Sequence, residues 1–410
     1  MGDPPLGASR GGLMLAVQYV RSVPRFLAAR TLGRAWSGLY TSRASVARLA
    51  EVDPPPLPGP AWARVRPRLS GICGSDLATI AAEGSPYFAP FTSTPFVFGH
   101  EVVGEVEEVG PGVEAVAVGD RIVLSPPLHC AVREIEEPCE PCASGETAHC
   151  RNVTRGTISA GIQTGYCRDT GGGWSRSLVA HQLQLHRVPE RVPDEAAVLI
   201  EPLSCCLHAV ERAEIAPGST TLVLGCGTIG LLTIVALEVA APEARVVAVA
   251  KYAHQREAAR ALGAEEIVGT GPTMREALAT LLGAELHRPE IGPPVAVGGA
   301  DATFDCVASD RTLDDAFRFT RAKGTVIVVG MPGVPEGVDW TAMWHKELDV
   351  RGTYTSGEDT FARAVVLAAD RSPDLAPLVG AAFGLEAWRE ALETAMEAGS
   401  RGVTKVAFRP

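Results

Sequence analysis

Gly225-Cys-Gly227-Thr-Ile-Gly230 follows the apolar run Thr220-Thr-Leu-Val-Leu and opens a second one, residues 229–240. A strand that ends in G-x-G-x-x-G and re-enters as a helix restricts a chain severely. The glycines permit a tight turn and close approach of backbone to a pyrophosphate, and the helix N-terminus favours that anion. The pattern alone is weak; its place between strand and helix gives it weight. Gly225, Gly227, Thr228, Ile229 and Gly230 are therefore candidate cofactor contacts, with Cys226 a small space-filler. The alternation continues, with strands expected at Arg245-Val-Val-Ala-Val-Ala250, at 301–307 and at 324–330, and a helix at 255–262. This predicts an α/β fold with a doubly wound parallel sheet, a Rossmann domain, over residues 191–345. Residues 284–299, rich in Pro and Gly, read as loop.

The flanking segments have a different texture. Val52-Asp-Pro-Pro-Pro-Leu-Pro-Gly-Pro60 excludes helix and central strand. From Ala61 to about Leu124, short alternating runs between Gly and Pro turns predict a small β-barrel. Residues 125–175 read as loops, and strand returns over 174–188. Past Leu348 come a last strand, helices at 359–369 and 385–397, and a closing strand at 403–408. The catalytic domain is thus expected to be split, 1–190 with 346–410, and the site to lie in the cleft beside the inserted nucleotide domain.

A net charge of −11 argues against nucleic-acid and membrane-surface roles, and no apolar run reaches the roughly 18 residues of a membrane span. Residues 4–50 carry seven Arg and no acid, the composition of an organellar transit peptide. However, 13–20 reads as the first strand of the catalytic domain, which a transit peptide would not contain. Residues 21–44 are accordingly expected to be a folded, Arg-rich helical insertion.

Cys73, in the turn Gly71-Ile-Cys-Gly-Ser-Asp76, and His100, after Gly99, are soft-metal ligand types. Thiolate with imidazole suits Zn²⁺, and a catalytic zinc takes three protein ligands, so a third must come from elsewhere. Cys139, Cys142 and Cys150 form C-x2-C-x7-C, a metal-binding spacing that implies a reducing cytoplasm.

Gly-Ile-Cys-Gly-Ser-Asp-Leu at 71–77 and Gly-His-Glu-x-x-Gly-x-Val at 99–106 resemble the catalytic-zinc signature of the medium-chain dehydrogenase/reductase family of alcohol and polyol dehydrogenases. The resemblance runs from about residue 45 to the C-terminus. It implies a GroES-like barrel beside the Rossmann domain, and hydride transfer between a zinc-bound secondary alcohol or polyol and NAD(P). Leu199-Ile-Glu-Pro-Leu-Ser resembles the segment of the sorbitol, glucose and threonine dehydrogenases that brings its Glu to the zinc, which gives Glu201 that role, directly or through water. Glu101 competes for direct ligation. Ser75 matches the family's relay hydroxyl, while the relay His found three residues later in some members is Ala78 here. Asp76 either orients His100 or caps the turn.

The resemblance also implies a structural zinc lobe. Three of its cysteines match; the first position is Glu136, so Cys130, after Ser125-Pro-Pro-Leu-His, is the expected fourth thiolate, with Glu136, His149 or an empty lobe as alternatives. At the end of the second nucleotide-domain strand, where NAD-preferring domains carry an acid, stands Ala250. Lys251 and Arg256 follow and suit a 2′-phosphate, so NADP is expected over NAD. A zinc-independent alkene reductase and a non-catalytic redox sensor are rival readings. A homodimer or homotetramer is expected.

Overall fold

The computed structural model describes residues 12–33 and 35–410. Six strands form a parallel sheet in the order Glu266–Gly269, Arg245–Ala250, Thr220–Leu224, Ala300–Asp305, Thr320–Val328, Asp349–Gly352. The inner strands are buried on both faces, which is why they read as unbroken apolar runs. Strand order reverses between Thr220–Leu224 and Ala300–Asp305, and a dinucleotide lies at such a switch point. The sheet's sixth strand falls beyond residue 345, and helix Glu358–Asp370 packs on Ile200–Ala213. The stretch 284–299 differs from its expectation: Glu285–His287 and Val295–Val297 pair as an antiparallel hairpin. Strands of three residues are too short to show a period, and Pro289, Gly292, Pro293 and Pro294 fall in the turn between them.

The second sheet follows the path Val379–Phe383, Lys405–Phe408, Trp62–Gly71, Val102–Val109, Arg121–Leu124, Leu185–Arg187, with Leu178–His181 also on Trp62–Gly71. Lys405–Phe408 reaches from the far end of the chain to lie beside Ser70 and Gly71. Ala47–Val52, Met14–Tyr19 and Phe96–Val97 make a third, three-stranded sheet. Between its first two strands run helix Val23–Leu32 and the 3-10 turn Ser37–Thr41, so the Arg-rich stretch is a folded excursion, as expected. Trp174, fully buried, packs on Phe98 and Phe408 at ring separations of 5.1 and 4.9 Å, and its indole N–H donates to the Gly71 carbonyl. That core fixes the turn that carries Cys73; truncating such an aromatic costs about 3–5 kcal/mol.

Candidate active site and metal centres

Cys73 caps helix Gly74–Ile80. Its backbone N–H donates to Asp76 Oδ2 at 3.1 Å, while the preceding Gly71 and Ile72 N–H groups donate to the carbonyls of Glu101 and Val406, both at 2.9 Å. Any side chain at Gly71 would overlap the Glu101 carboxylate, so glycine is required by close approach. His100 follows Gly99, whose φ of +97° favours glycine and turns the chain from Phe96–Val97 into Val102–Val109. Ligating atoms of Cys73, His100 and Glu101 all lie within 4.8 Å of one another. His100 Nδ1 and Asp76 Oδ1 are buried without a hydrogen bond and 3.6 Å apart. Asp76 thus both caps the turn and faces the imidazole.

Glu101 does not stand free. Lys405, 4% exposed, donates to its Oε1 at 2.6 Å. The sequence reading missed this lysine, 304 residues away; its only local sign was a lone charge in an apolar closing strand. Glu201 sits in the first turn of Ile200–Ala213, buried, and accepts from the Cys205 thiol at 3.7 Å. It lies outside the 4.8 Å cluster but within its field. Burial, then the Glu101 charge, push its pKa up to about 7 against the opposing pull of His100 and Lys405. Burial depresses His100, yet Asp76 and Cys73 outweigh it and hold the imidazole well above its ordinary value. Burial likewise lifts Asp76 to about 6. A thiol, an imidazole and a carboxylate held in a desolvated cluster, with a second carboxylate in its field and a ring nitrogen lacking a partner, fit a zinc ion.

Ser75 lies two residues into the helix, and the Tyr166 and Thr79 hydroxyls lie 3.3 Å apart, with Thr79 donating its own proton to the Ser75 carbonyl at 2.8 Å. Tyr166 is a second residue that the sequence reading passed over.

Cys130, Cys139, Cys142 and Cys150 come within 4.8 Å of one another. Backbone N–H groups of Cys139, Arg151 and Asn152 each point at a sulfur at 3.3 Å, and the Asn152 amide does the same to Cys130. Such donors suit thiolates. Glu136 and His149 do not join the cluster. Arg133, fully buried, ties the lobe together by donating to the carbonyls of Leu128, Arg155, Ile158, Ser159 and Gly161 at 2.6–3.2 Å.

In the glycine loop, Gly225 has φ +89° and a Cβ there would overlap Val307, while one at Gly230 would overlap the Gly225 carbonyl. A Cβ at Gly227 would meet no protein atom within 4 Å, which leaves that side open to a ligand. Thr228, at the start of Thr228–Ala240, donates its hydroxyl to the Thr404 carbonyl at 3.0 Å, and Ile229 packs in the core. Thr404 adjoins Lys405, so the loop and the thiol–imidazole cluster share one strand end. Arg256 donates to the Ala250 and Lys251 carbonyls at 3.4 and 3.1 Å, and Lys251 lies 5.1 Å over the Tyr252 ring.

A barrel carrying a thiol–imidazole–carboxylate cluster, joined to a doubly wound sheet with an open glycine loop, defines a class: the zinc-binding dehydrogenases. The profile described as "Alcohol dehydrogenase GroES-like domain" matches residues 59–190, and "Zinc-binding dehydrogenase" matches 228–370. Sorbitol dehydrogenase of Arabidopsis thaliana is 31% identical over 349 residues, 85% of this chain and 87% of that protein. L-idonate 5-dehydrogenase of Vitis vinifera is 29% identical, over 84% and 86% respectively. A zinc-binding dehydrogenase of Sinorhizobium meliloti 1021 solved with NADP superposes with TM-score 0.71 at 25% identity, over 98% of this chain and 100% of that one. The chain belongs to the zinc-dependent medium-chain dehydrogenase family. It is an oxidoreductase that works with zinc and a nicotinamide cofactor.

Proposed function

We propose that the protein interconverts a polyol or secondary alcohol and the matching ketone, with NADP(H) preferred over NAD(H). The observation that carries this reading is the hydrogen bond from Thr228 to the Thr404 carbonyl, which ties the pyrophosphate loop to the strand whose next residue, Lys405, neutralises the Glu101 carboxylate of the metal cluster. Hydride donor and acceptor sites are thereby held together in one cleft. Relatives named for sorbitol, idonate and butanediol support the substrate class.

Cys73, His100 and Glu101 hold the catalytic zinc in this reading, with Glu201 beside it. When bound, zinc lowers the pKa of a substrate hydroxyl and polarises the matching carbonyl. Ser75 Oγ would accept the hydroxyl proton as it hands its own to water, which takes the place of a relay His at Ala78. Asp76 orients the His100 ring. Cys130, Cys139, Cys142 and Cys150 hold a structural zinc. Gly225, Gly227, Thr228, Ile229 and Gly230 receive the cofactor pyrophosphate. The catalytic domain is proposed as 1–190 with 346–410 and the nucleotide domain as 191–345, with the strand Asp349–Gly352 lent to the nucleotide sheet.

Cofactor preference follows from the strand end. No acid stands at Ala250 to repel a 2′-phosphate, and Lys251, exposed, with Arg256, anchored on two carbonyls, can pair with it. Tyr252 packs on Gly399. The test compares kcat/KM for both cofactors in wild type and Lys251→Ala. Wild-type preference for NADP and a loss of selectivity of about ten-fold or more are expected. Preference for NAD, or unchanged selectivity in the variant, defeats the assignment. A homodimer or homotetramer is proposed from the exposed apolar side chains Ile291, Val297, Trp340 and Trp344, and is read by sedimentation. The cytoplasm is the proposed compartment, because thiol ligand sets need reducing conditions. Among the described residues no helix is long and apolar enough to cross a membrane.

A further inference from the structure

The Arg-rich insertion contributes Arg25, Ser42 and Arg43 to a pocket. Arg25, Ser42, Arg43, Arg48, Trp388 and Arg389 line a cavity of about 510 Å³, within the roughly 300–1,000 Å³ range of small-molecule sites. No acid is among its lining residues. Arg25 comes from helix Val23–Leu32, Arg43 from the turn after Ser37–Thr41, Arg48 from Ala47–Val52 and Arg389 from Trp388–Met396. Arginines of four separate segments thus line one cavity.

Their pairing sets them apart. Elsewhere this acidic chain ties its arginines to carboxylates, as in Arg64–Glu108 at 2.8 Å and Arg409–Glu195 at 3.0 Å. Among the described residues none of the four pocket arginines has a carboxylate within 4 Å, in a protein with 48 acids against 37 bases. The nearby Glu393 instead accepts from the Thr41 hydroxyl at 2.8 Å. Two of the four are also held in place by backbone. Arg25 Nη1 donates to the Ser45 carbonyl at 2.7 Å, and Arg389 Nε to the Thr41 carbonyl at 2.8 Å, with its guanidinium 4.6 Å over the Trp388 ring. Arg43 and Arg48 are exposed. Like charges brought together without counter-charge cost free energy, and an anion relieves it.

We propose that this pocket binds a small molecule carrying two phosphate groups, outside the catalytic cleft. Each phosphate carries roughly −1.5 to −2 charges, so two of them match four guanidinium groups, whose planar forks suit bidentate contacts. A lone phosphate would leave half of that charge unmet. Trp388 belongs to the same buried cluster as Ile72 and Ile80, which flank the Cys73 turn, so occupancy also stabilises the half of the barrel that carries the catalytic cysteine.

The test uses the zinc-loaded holoenzyme saturated with NADPH, so that the glycine loop is already filled. Glucose 1,6-bisphosphate, which has no ketone for NADPH to reduce, is titrated in a calorimeter. One site per chain is expected, weakened about ten-fold or more in Arg43→Ala/Arg48→Ala and less in the charge-keeping Arg43→Lys/Arg48→Lys. Both side chains are exposed, and unchanged melting of the variants without ligand checks the fold. Glucose 6-phosphate should bind at least several-fold more weakly. The proposal is overturned by absence of saturable binding, by equal affinity in wild type and the alanine variant, or by a monophosphate that binds as tightly. Tighter binding of an oligonucleotide or of anionic vesicles would overturn it in favour of a macromolecular surface.

Discussion

The two thiol-bearing clusters of this protein are built on opposite plans. In the lobe, four sulfurs face one another, their remaining capacity is met by N–H donors from the adjoining turns, and Arg133 closes the surrounding loops with five carbonyl contacts. In the cleft, one thiol meets one imidazole and carboxylates, atoms of His100 and Asp76 lack partners, and buried charges lean on each other across the barrel. The first plan closes four thiols on one another, with N–H donors on the Cys130, Cys139 and Cys150 sulfurs. The second leaves bonding capacity unspent, as a site that must accept a reactant requires.

The sharpest way to break this contrast is Cys73→Ser. Turnover should fall by about three orders of magnitude or more, with one zinc lost, the lobe's zinc kept and NADPH binding unchanged by fluorescence titration. Full activity in metal-free protein would end the zinc reading. A smaller effect separates the carboxylates. Glu101→Gln should weaken zinc retention by about 10–100-fold and Glu201→Gln by less, measured by competition with a chelator. The sequence alone favoured Glu201; the reverse order of the two variants would return the role to it.

Cys142→Ser should act on the other plan: a lower melting temperature and one zinc fewer, with kcat changed only a few-fold. Wild-type metal content and melting in that variant would remove the four-thiolate assignment. The smallest effect concerns acid. His181, buried against Trp62, accepts from the Leu183 N–H through Nδ1, and burial lowers its pKa to about 4. Its folded pKa lies below the roughly 6.5 of the unfolded chain, so the neutral ring's contribution is whole above that value and drains away as pH falls towards 4. About 1–2 kcal/mol should be lost over that window. His181→Gln should flatten that part of the melting-versus-pH curve, and an unchanged slope would count against the assignment.

How much could be read beforehand varied with range. Gly225, Gly227 and Gly230 announce a turn because each answers a local backbone demand, and the parallel strands announce themselves by apolar runs buried on both faces. The hairpin at 285–297 was illegible because strands of three residues carry no period. Arg133 and Tyr166 were passed over since an isolated arginine or tyrosine in a loop has no spacing signature. Lys405 showed only as a lone charge in an apolar strand, because its partner Glu101 lies 304 residues away.

By itself, then, the sequence determined the donor chemistry and the cofactor loop: thiol and imidazole in glycine-punctuated turns, and a G-x-G-x-x-G between strand and helix. These depend on residue type and on spacing over a few positions, where covalent geometry dictates what can meet. Only the tertiary structure decided that Glu101 and not Glu201 shares the 4.8 Å cluster, that Lys405 balances it, that Cys130 folds back across 131–138 to complete the lobe, and that four arginines with no carboxylate partner among the described residues line one pocket. Each of those juxtapositions is made by strand pairing and burial between distant segments, and no local pattern encodes the partner that such pairing will supply.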